Sequence, residues 1–402
     1  MEDSVKKQKM GSSLLLVLCI LINMLSSFST DIYLPALPEL CVDFSVTEVT
    51  ATSTITMFIV FYALGTLVGG PLCDKYGRKP ILLLGGALFA AGSFCCIVAP
   101  TITLLIVARM LAGAGAGVLT SDSFAIIHDC FEGETGEKNI ALVQSIASVG
   151  PVLAPVIGAA VLTFASWRMV FAVLAALSVA VLALSFVFEE SLDEKDRLQG
   201  NIVDTLGRLL VVSKNKSVFF PLVIFALSSL TFLGYVGVSS YIYVNHFGLT
   251  EQSYSIYYAL AALMAIIGPM VYMKFWIGVN KNLMTKICLG ALLLCGIATI
   301  TIGVTSHYVF WAIIVVFTFF TAILRPFSMN ILFAQQSSDT GSVSALYNCL
   351  NFILGSVGMT VMTMGTGNLV IHFGLVLTVI AGAELIMWLA LMKSKIPCNG
   401  VK

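Results

Sequence analysis

Two ionisable side chains stand inside stretches that are otherwise apolar. Asp31 lies in Ser26-Ser27-Phe28-Ser29-Thr30-Asp31-Ile32-Tyr33-Leu34-Pro35-Ala36-Leu37-Pro38, late in the first long apolar run. A carboxylate within hydrocarbon costs ~2.5–3.5 kcal/mol on insertion scales, so it needs a cavity, a partner or a proton. A carboxyl kept from water is suited to loading and unloading a proton. The plain alternative is an acid at the membrane rim, touching headgroups. Arg109 opens Arg109-Met110-Leu111-Ala112-Gly113-Ala114-Gly115-Ala116-Gly117. A guanidinium there calls for an acid or anion opposite, or pins its helix to a neighbour through backbone carbonyls. Asp31 and Arg109 are read as a proton-coupling pair.

A second constellation is Gly70-Pro71-Leu72-Cys73-Asp74-Lys75-Tyr76-Gly77-Arg78-Lys79-Pro80, a charged turn between two long apolar runs. Asp74 can cap a helix start or pair with Arg78 at i, i+4, and Asp129 offers Arg78 a second partner. Gly70, Asp74, Gly77, Arg78, Lys79 and Asp129 are therefore expected to act as a conformational latch rather than a substrate site. The basic residues alone would also serve to orient the chain in a membrane. A third stretch, Ser148 to Gly158, holds Gly150, Pro151, Pro155 and Gly158, which open kinks or permit close packing. Tyr33, Tyr235, Arg325, Asn330, Asn348 and Asn351 are candidate substrate-binding groups, although such polar side chains more often join helices together. Asp122 and Glu384 are further buried acids without an assigned role.

The elements that must position these residues follow from composition. The 402 residues are 58% hydrophobic and 10% charged, with a mean hydropathy of +0.99. That excess of apolar surface fits an integral membrane protein of many spans. A formal net charge of zero gives no case for nucleic acid. The four histidines are scattered and the ten cysteines form no CxxC pair, so neither a metal site nor a disulfide framework is expected. No Ser/His/Asp, metal or phosphate-loop pattern appears, which argues against an enzyme and against ATP as an energy source.

Apolar runs fall at Ser12–Leu37, Thr50–Leu72, Pro80–Ala99, Thr101–Phe124, Ile140–Phe164 and Trp167–Phe188. A second set falls at Val218–Val244, Ser253–Trp276, Met284–Val304, His307–Phe333, Ser342–Thr366 and Asn368–Met392. Each is long enough to cross ~30 Å of hydrocarbon. The organisation expected is a six-helix bundle over 1–188, a cytoplasmic linker over 189–217 and a second bundle over 218–402. Lys6, Lys7 and Lys9 precede the first run, which is read as an uncleaved helix. Lys75, Arg78, Lys79, Lys138, Lys195, Arg197, Arg208, Lys214, Lys216, Lys281, Lys286, Lys393, Lys395 and Lys402 then fall on one side. Only Arg168 falls clearly on the other, so both termini are expected in the cytoplasm. Leu84–Gly92 echoes Cys288–Gly296, a trace of two related halves.

The pattern Gly-x-Leu-x-Asp-x-x-Gly-Arg-Lys in the 70–80 turn resembles the loop between helices 2 and 3 of the major facilitator superfamily. Asp31-x-Tyr33-Leu34-Pro35-Ala36-Leu37-Pro38 resembles helix 1 of its Bcr/CflA drug:proton antiporter group. Arg109–Gly117 resembles that superfamily's helix 4 pattern, with Ala112 in place of a Gln. Gly150-Pro151 to Gly158 resembles its antiporter signature, with Ala154 and Pro155 departing from the core pattern. Trp167-Arg168 resembles the start of helix 6, an interfacial anchor. The resemblance implies an all-α fold of twelve transmembrane helices in two pseudo-symmetric bundles. It further implies proton-coupled export of small amphipathic molecules, as in multidrug or antibiotic efflux, by alternating access in the cytoplasmic or inner membrane. A metabolite, peptide or siderophore is the alternative cargo, and a non-transporting sensor a more distant one. The latch would hold the outward-facing state and break in the other. No cofactor is implied. The expected partners are a small-molecule substrate, protons and the lipid bilayer, with the chain acting as a monomer.

Overall fold

The computed structural model describes residues 10–131, 133–198, 207, 212–276, 278–336, 340–365 and 367–401. Lys6, Lys7, Lys9, Arg208, Thr366, Lys402 and part of the 189–217 linker lie outside the described residues. Among the described residues, twelve helices are long and apolar enough to cross a membrane. They are α1 Ser12–Asp43, α2 Glu48–Tyr76, α3 Arg78–Ile97, α4 Ile102–Cys130, α5 Thr135–Leu162 and α6 Trp167–Val187, then α7 Lys216–His246, α8 Glu251–Trp276, α9 Lys281–Gly303, α10 His307–Gln335, α11 Thr340–Thr363 and α12 Leu369–Lys393. Even α3, with 20 residues, matches a hydrocarbon thickness of ~30 Å at 1.5 Å per residue. No strand occurs among the described residues.

Short polar side chains set many of the starts. Thr101, Asn215, Thr250, Asn280, Ser306 and Asn368 each accept a hydrogen bond from a backbone N–H in the first turn that follows. Several helices outrun their apolar stretches. α4 continues past Phe124 to Cys130, and α5 begins at Thr135 rather than Ile140. Hydropathy marks the part of a helix that meets hydrocarbon, whereas the backbone hydrogen bonds carry on into the polar ends. Besides a one-residue break in α8 at Leu263, two spans are interrupted. The long part of α1 ends at Asp31, passes through a tight turn at Leu34–Ala36 and resumes at Leu37–Asp43. α5 breaks after Ala147 and resumes at Gly150. Prolines at 35, 38 and 151 sit at both breaks, where the missing N–H and the fixed φ interrupt the ladder. The last turns of α7, α8 and α9 widen to i→i+5 geometry, at Tyr241–His246, Tyr272–Trp276 and Thr299–Gly303.

The chain divides into two compact units. One holds Met1–Val46 and Ser53–Thr205, the other Thr47–Thr52 and Leu206–Lys402. In the first unit α1 packs on α4, α5 and α6, and α3 packs on α4 and α6. In the second, α7 packs on α10, α11 and α12, and α9 packs on α10 and α12. The same pairings recur six helices later, and the echoing stretches at 84–92 and 288–296 lie on the matched helices α3 and α9.

Helix 4 is the close-packed centre of the first unit. A Cβ added at Gly113 would strike the Phe58 carbonyl, and one at Gly117 the Tyr62 carbonyl, both on α2. Between them Gly115 faces the other way, against the Gly85 carbonyl on α3. Residues four apart share a helix face while the one midway points opposite, so the Gly-x-Gly-x-Gly run brings α4 backbone-to-backbone with two neighbours at once. Gly290 on α9, by contrast, has open space where a Cβ would go. Gly113→Ala is expected to cost about 1–3 kcal/mol through overpacking, and Gly290→Ala to be neutral or to stabilise by up to ~1 kcal/mol through helix propensity. Thermal unfolding of the two variants in one detergent checks the contrast; equal midpoints would contradict the packing described.

Candidate functional site

Asp31 sits at the break in α1 and is 5% exposed. The last regular bond there runs from the Ile32 N–H to the Phe28 carbonyl at 2.9 Å. Pro35 then supplies no donor. α5 closes on this break from the side. A Cβ on Gly158 would strike the carbonyl of Ile32, and one on Gly150 would strike the Ser27 side chain. Ser27 Oγ also donates to the Ala147 carbonyl at 3.3 Å, just before the break in α5. The two glycines singled out from the sequence thus bracket Asp31 along the opposing helix. Pro155 is buried between them and Pro151 is half-buried.

Arg109 reaches the same segment from α4. Its side chain is 1% exposed, and Nη2 donates to the Ser29 carbonyl at 2.7 Å, two residues before Asp31. The guanidinium carbon lies 4.1 Å from the Phe58 ring centroid, 4.8 Å from Tyr33 and 5.7 Å from Phe171. Those aromatic faces offer a desolvated cation a favourable quadrupole field. Nε has no hydrogen-bond partner among the described residues. Tyr33, a substrate-site candidate, is fully buried, with its hydroxyl 3.0 Å from Thr54 Oγ1. Arg109 therefore pins α1 to α4 through a backbone carbonyl, as the plainer reading of its position expects, and does so immediately beside Asp31.

Two further rungs join α1 and α4, and the sequence reading missed both. Asn23 Nδ2 donates to Ser123 Oγ at 2.9 Å, and Ser26 Oγ lies 2.8 Å from Thr120 Oγ1. An asparagine three residues before a serine in an apolar run was the available signal. The C-terminal end of α1 is tied to α6: Trp167 Nε1 donates to Asp43 Oδ2 at 2.8 Å, and Arg168 Nη1 lies 3.7 Å from the same oxygen. Trp167 is fully buried between Phe44 and Phe171, an internal anchor rather than one lying among headgroups.

The 70–80 turn builds a charged cluster at the other end of the first unit. Arg78 Nη1 donates to Asp74 Oδ1 at 2.6 Å and Nε to Asp129 Oδ2 at 2.8 Å. Asp74 pairs with Arg78 rather than capping α3. The cap comes from Glu190, beyond α6, which sequence reasoning did not single out. Its Oε1 accepts from the Arg78 N–H at 2.8 Å and Oε2 from the Lys79 N–H at 3.1 Å. A carboxylate there satisfies orphan donors and faces the positive end of the helix dipole. Gly77 has φ +97°, and a Cβ on it would strike the Glu190 carboxylate. Lys79 Nζ donates to the Phe186 carbonyl at 3.0 Å, and Ser191 Oγ to Asp129 at 3.3 Å. Gly70 is half-buried on the last turns of α2.

The candidates of the second unit do not form one cluster of mutual hydrogen bonds. Tyr235 stacks on Tyr258, with centroids 6.2 Å apart, in an aromatic core with Phe317 and Phe373. Its hydroxyl has no hydrogen-bond partner among the described residues. Asn330 is exposed and donates to the Tyr272 hydroxyl at 3.1 Å. Asn351 Nδ2 donates to the Tyr347 carbonyl at 2.7 Å, and the Tyr347 hydroxyl meets Ser328 Oγ at 2.8 Å. Arg325 is exposed and Asn348 half-buried. Glu384, on α12, is 1% exposed and accepts from Ser228 Oγ at 2.8 Å.

Residues 19–359 match the family model of the Major Facilitator Superfamily, and the chain belongs to that family. It is a transporter, not an enzyme, and an integral multi-pass membrane protein. Among curated relatives it is 29% identical over 356 residues to the uncharacterized MFS-type transporter YdgK of Bacillus subtilis, covering 85% of this chain and 87% of that one. It is 30% identical over 233 residues to the multidrug resistance protein MdtL of Escherichia coli O139:H28, covering 58% of this chain and 59% of that relative. Among solved structures, the nucleoside transporter NupG superposes with a TM-score of 0.75 at 12% identity, over 94% of this chain and 99% of that one. The peptide transporter POT superposes with a TM-score of 0.72 at 15% identity, over 94% of each chain. At these identities the structures show the shared fold.

The Glu190 cap gives a direct expectation. Glu190→Ala leaves the first N–H groups of α3 without an acceptor and is expected to cost about 0.5–2 kcal/mol, whereas Glu190→Gln, which keeps one acceptor oxygen, should recover part of that. Melting midpoints of the two variants in the same detergent test this order; an unchanged Glu190→Ala midpoint would show the contacts to be energetically idle.

Proposed function

We propose that the chain is a proton-coupled secondary transporter that exports small amphipathic molecules by alternating access. On this reading it lies in the cytoplasmic or inner membrane with both termini on the cytoplasmic side. The observation that carries the reading is the position of Asp31: a buried carboxyl at a break in α1, beside the carbonyl that anchors Arg109. A broken helix frees backbone groups at membrane depth, which is tolerated where the segment is packed in protein or lines a cavity. Protons and cargo would compete around Asp31. Protonation from outside discharges the cargo, and deprotonation inside resets the site. Gly150 and Gly158 support this by holding α5 against both flanks of the break, so that a shift of α1 at Asp31 is felt by α5. The Asp74–Arg78–Asp129 cluster is proposed as the latch that stabilises one conformation and opens in the other.

The name of the MdtL relative supports a multidrug cargo over a single metabolite. The charge asymmetry supports the orientation, because the basic residues crowd one set of loops.

The test is purified chain in liposomes with an imposed pH gradient and a panel of amphipathic cations and antibiotics. Wild-type protein should move at least one of them against its gradient. Coupling free energies of about 1–3 kcal/mol correspond to about 5–150-fold changes in affinity, so cargo affinity should shift by that order across the protonation of Asp31. Asp31→Asn should remove both the pH dependence and the gradient-driven export while the protein still folds. Full export by Asp31→Asn would refute the assignment.

A further inference from the structure

One buried acid in the first unit has no part in the scheme above. Asp122 lies on α4 and is fully buried, and neither carboxyl oxygen has a hydrogen-bond partner among the described residues. Val118, one turn before it, packs with Cys73 of α2 and Ile81 of α3 in an apolar cluster. The titratable and charged groups that face it are Cys73 on α2, Arg78 on α3, Cys19 on α1, Asp129 on its own helix and Glu190 beyond α6. Arg78, Lys79 and Arg197 are the cations of this cluster, Arg197 lying beside Glu190 at Gly77. Arg78 is clasped by Asp74 and Asp129, and Lys79 Nζ is held on the Phe186 carbonyl. Glu190 occupies the start of α3. None of these cations donates a hydrogen bond to Asp122, whose two carboxyl oxygens are both buried without a partner among the described residues. An ionised carboxylate buried without a partner costs several kcal/mol, and taking up a proton removes that cost.

We propose that Asp122 is a proton-binding site coupled to the Arg78 cluster: its carboxyl holds a proton while Asp74 and Asp129 clasp Arg78, and releases it to solvent when that clasp opens. Opening strips Arg78, itself 5% exposed, of its two partners. The ionised Asp122 then becomes the carboxylate able to pair with the stranded guanidinium. The exchange is one O–H bond broken, one proton to water and the two ion pairs of Arg78 replaced by one. This proton is separate from the one proposed for Asp31. The inference rests on the latch reading of the 70–80 turn and not on cargo or on Asp31. By linkage the clasped state binds one more proton than the open state, so rising pH favours opening.

The test uses full-length protein in lipid nanodiscs, with infrared detection of protonated carboxyl groups and hydrogen exchange of the backbone amides of Gly77, Arg78, Lys79 and Ile81, divided by their intrinsic rates. The infrared spectrum should contain a protonated-carboxyl band that is lost in Asp122→Asn. As that band fades with rising pH, the opening of residues 77–81 should increase about tenfold per pH unit, and Asp122→Asn should flatten this slope. A wild-type sample with isotope-labelled aspartate keeps the question answerable if the variant fails to fold: the band must fade in step with opening. A band insensitive to the substitution, an unchanged slope in Asp122→Asn, or fading without opening would each overturn the proposal. Arg78→Gln separates the two layers. Undiminished protection in that variant would overturn the latch along with the inference, whereas lost protection together with an unchanged Asp122→Asn slope would remove Asp122 alone.

Discussion

The hydrogen bond from Arg109 to the Ser29 carbonyl is the contact around which the first unit is organised. A guanidinium cannot be left bare at this depth, and a helix whose ladder stops at Asp31 leaves carbonyls to be met. Each defect answers the other. The break in α1 supplies an acceptor, and the cation on α4 supplies the donor. The three rings around the guanidinium let it remain charged without a bath of water. The Asn23–Ser123 and Ser26–Thr120 rungs extend the same seam. In an environment where apolar contacts alone do not drive helices together, such polar seams and small-residue contacts set which helices touch.

The second unit reaches its packing by related means. Gly358 of α11 lies against the Leu230 carbonyl of α7, as Gly158 of α5 lies against Ile32 of α1. A glycine pressed on a carbonyl therefore recurs at the matched helix pair of each unit. The functional decoration differs. The first unit holds the buried arginine and the charged cluster, while the second holds an aromatic core around Tyr235, Tyr243 and Phe373. Pseudo-symmetry governs the scaffold and not the chemistry placed on it.

Much of this was legible from residue order. The number of spans follows from hydropathy, because the need to satisfy backbone groups in lipid leaves few other outcomes. The Arg78 partners could be anticipated from the i, i+4 spacing to Asp74 and from the acid at the end of helix 4. The break in α1 was foreshadowed by Pro35 and Pro38. Glu190 was not legible. It is one acid among several in a polar segment, and its role arises from where the end of α6 returns relative to the start of α3. The Asn23 and Ser26 rungs were hidden for a similar reason, since their partners lie about a hundred residues away. The candidates on α10 and α11 were chosen by residue type alone, and type says nothing about which way a side chain turns: Arg325 faces outward while Tyr235 is closed in by rings.

Helix 4 has one property with wider reach. α1, α2, α3, α5, α7, α8 and α10 carry a proline within their length, but α4 runs its 29 residues without one. Arg109 and Asp129 stand twenty residues apart on that unbroken shaft, about 30 Å at 1.5 Å per residue. A shaft without a hinge cannot tilt at one end and stay still at the other. Arg109 and Asp129 thus belong to one continuous helix, so any rigid-body shift of α4 would carry the aromatic nest and the carboxylate that grips Arg78 together.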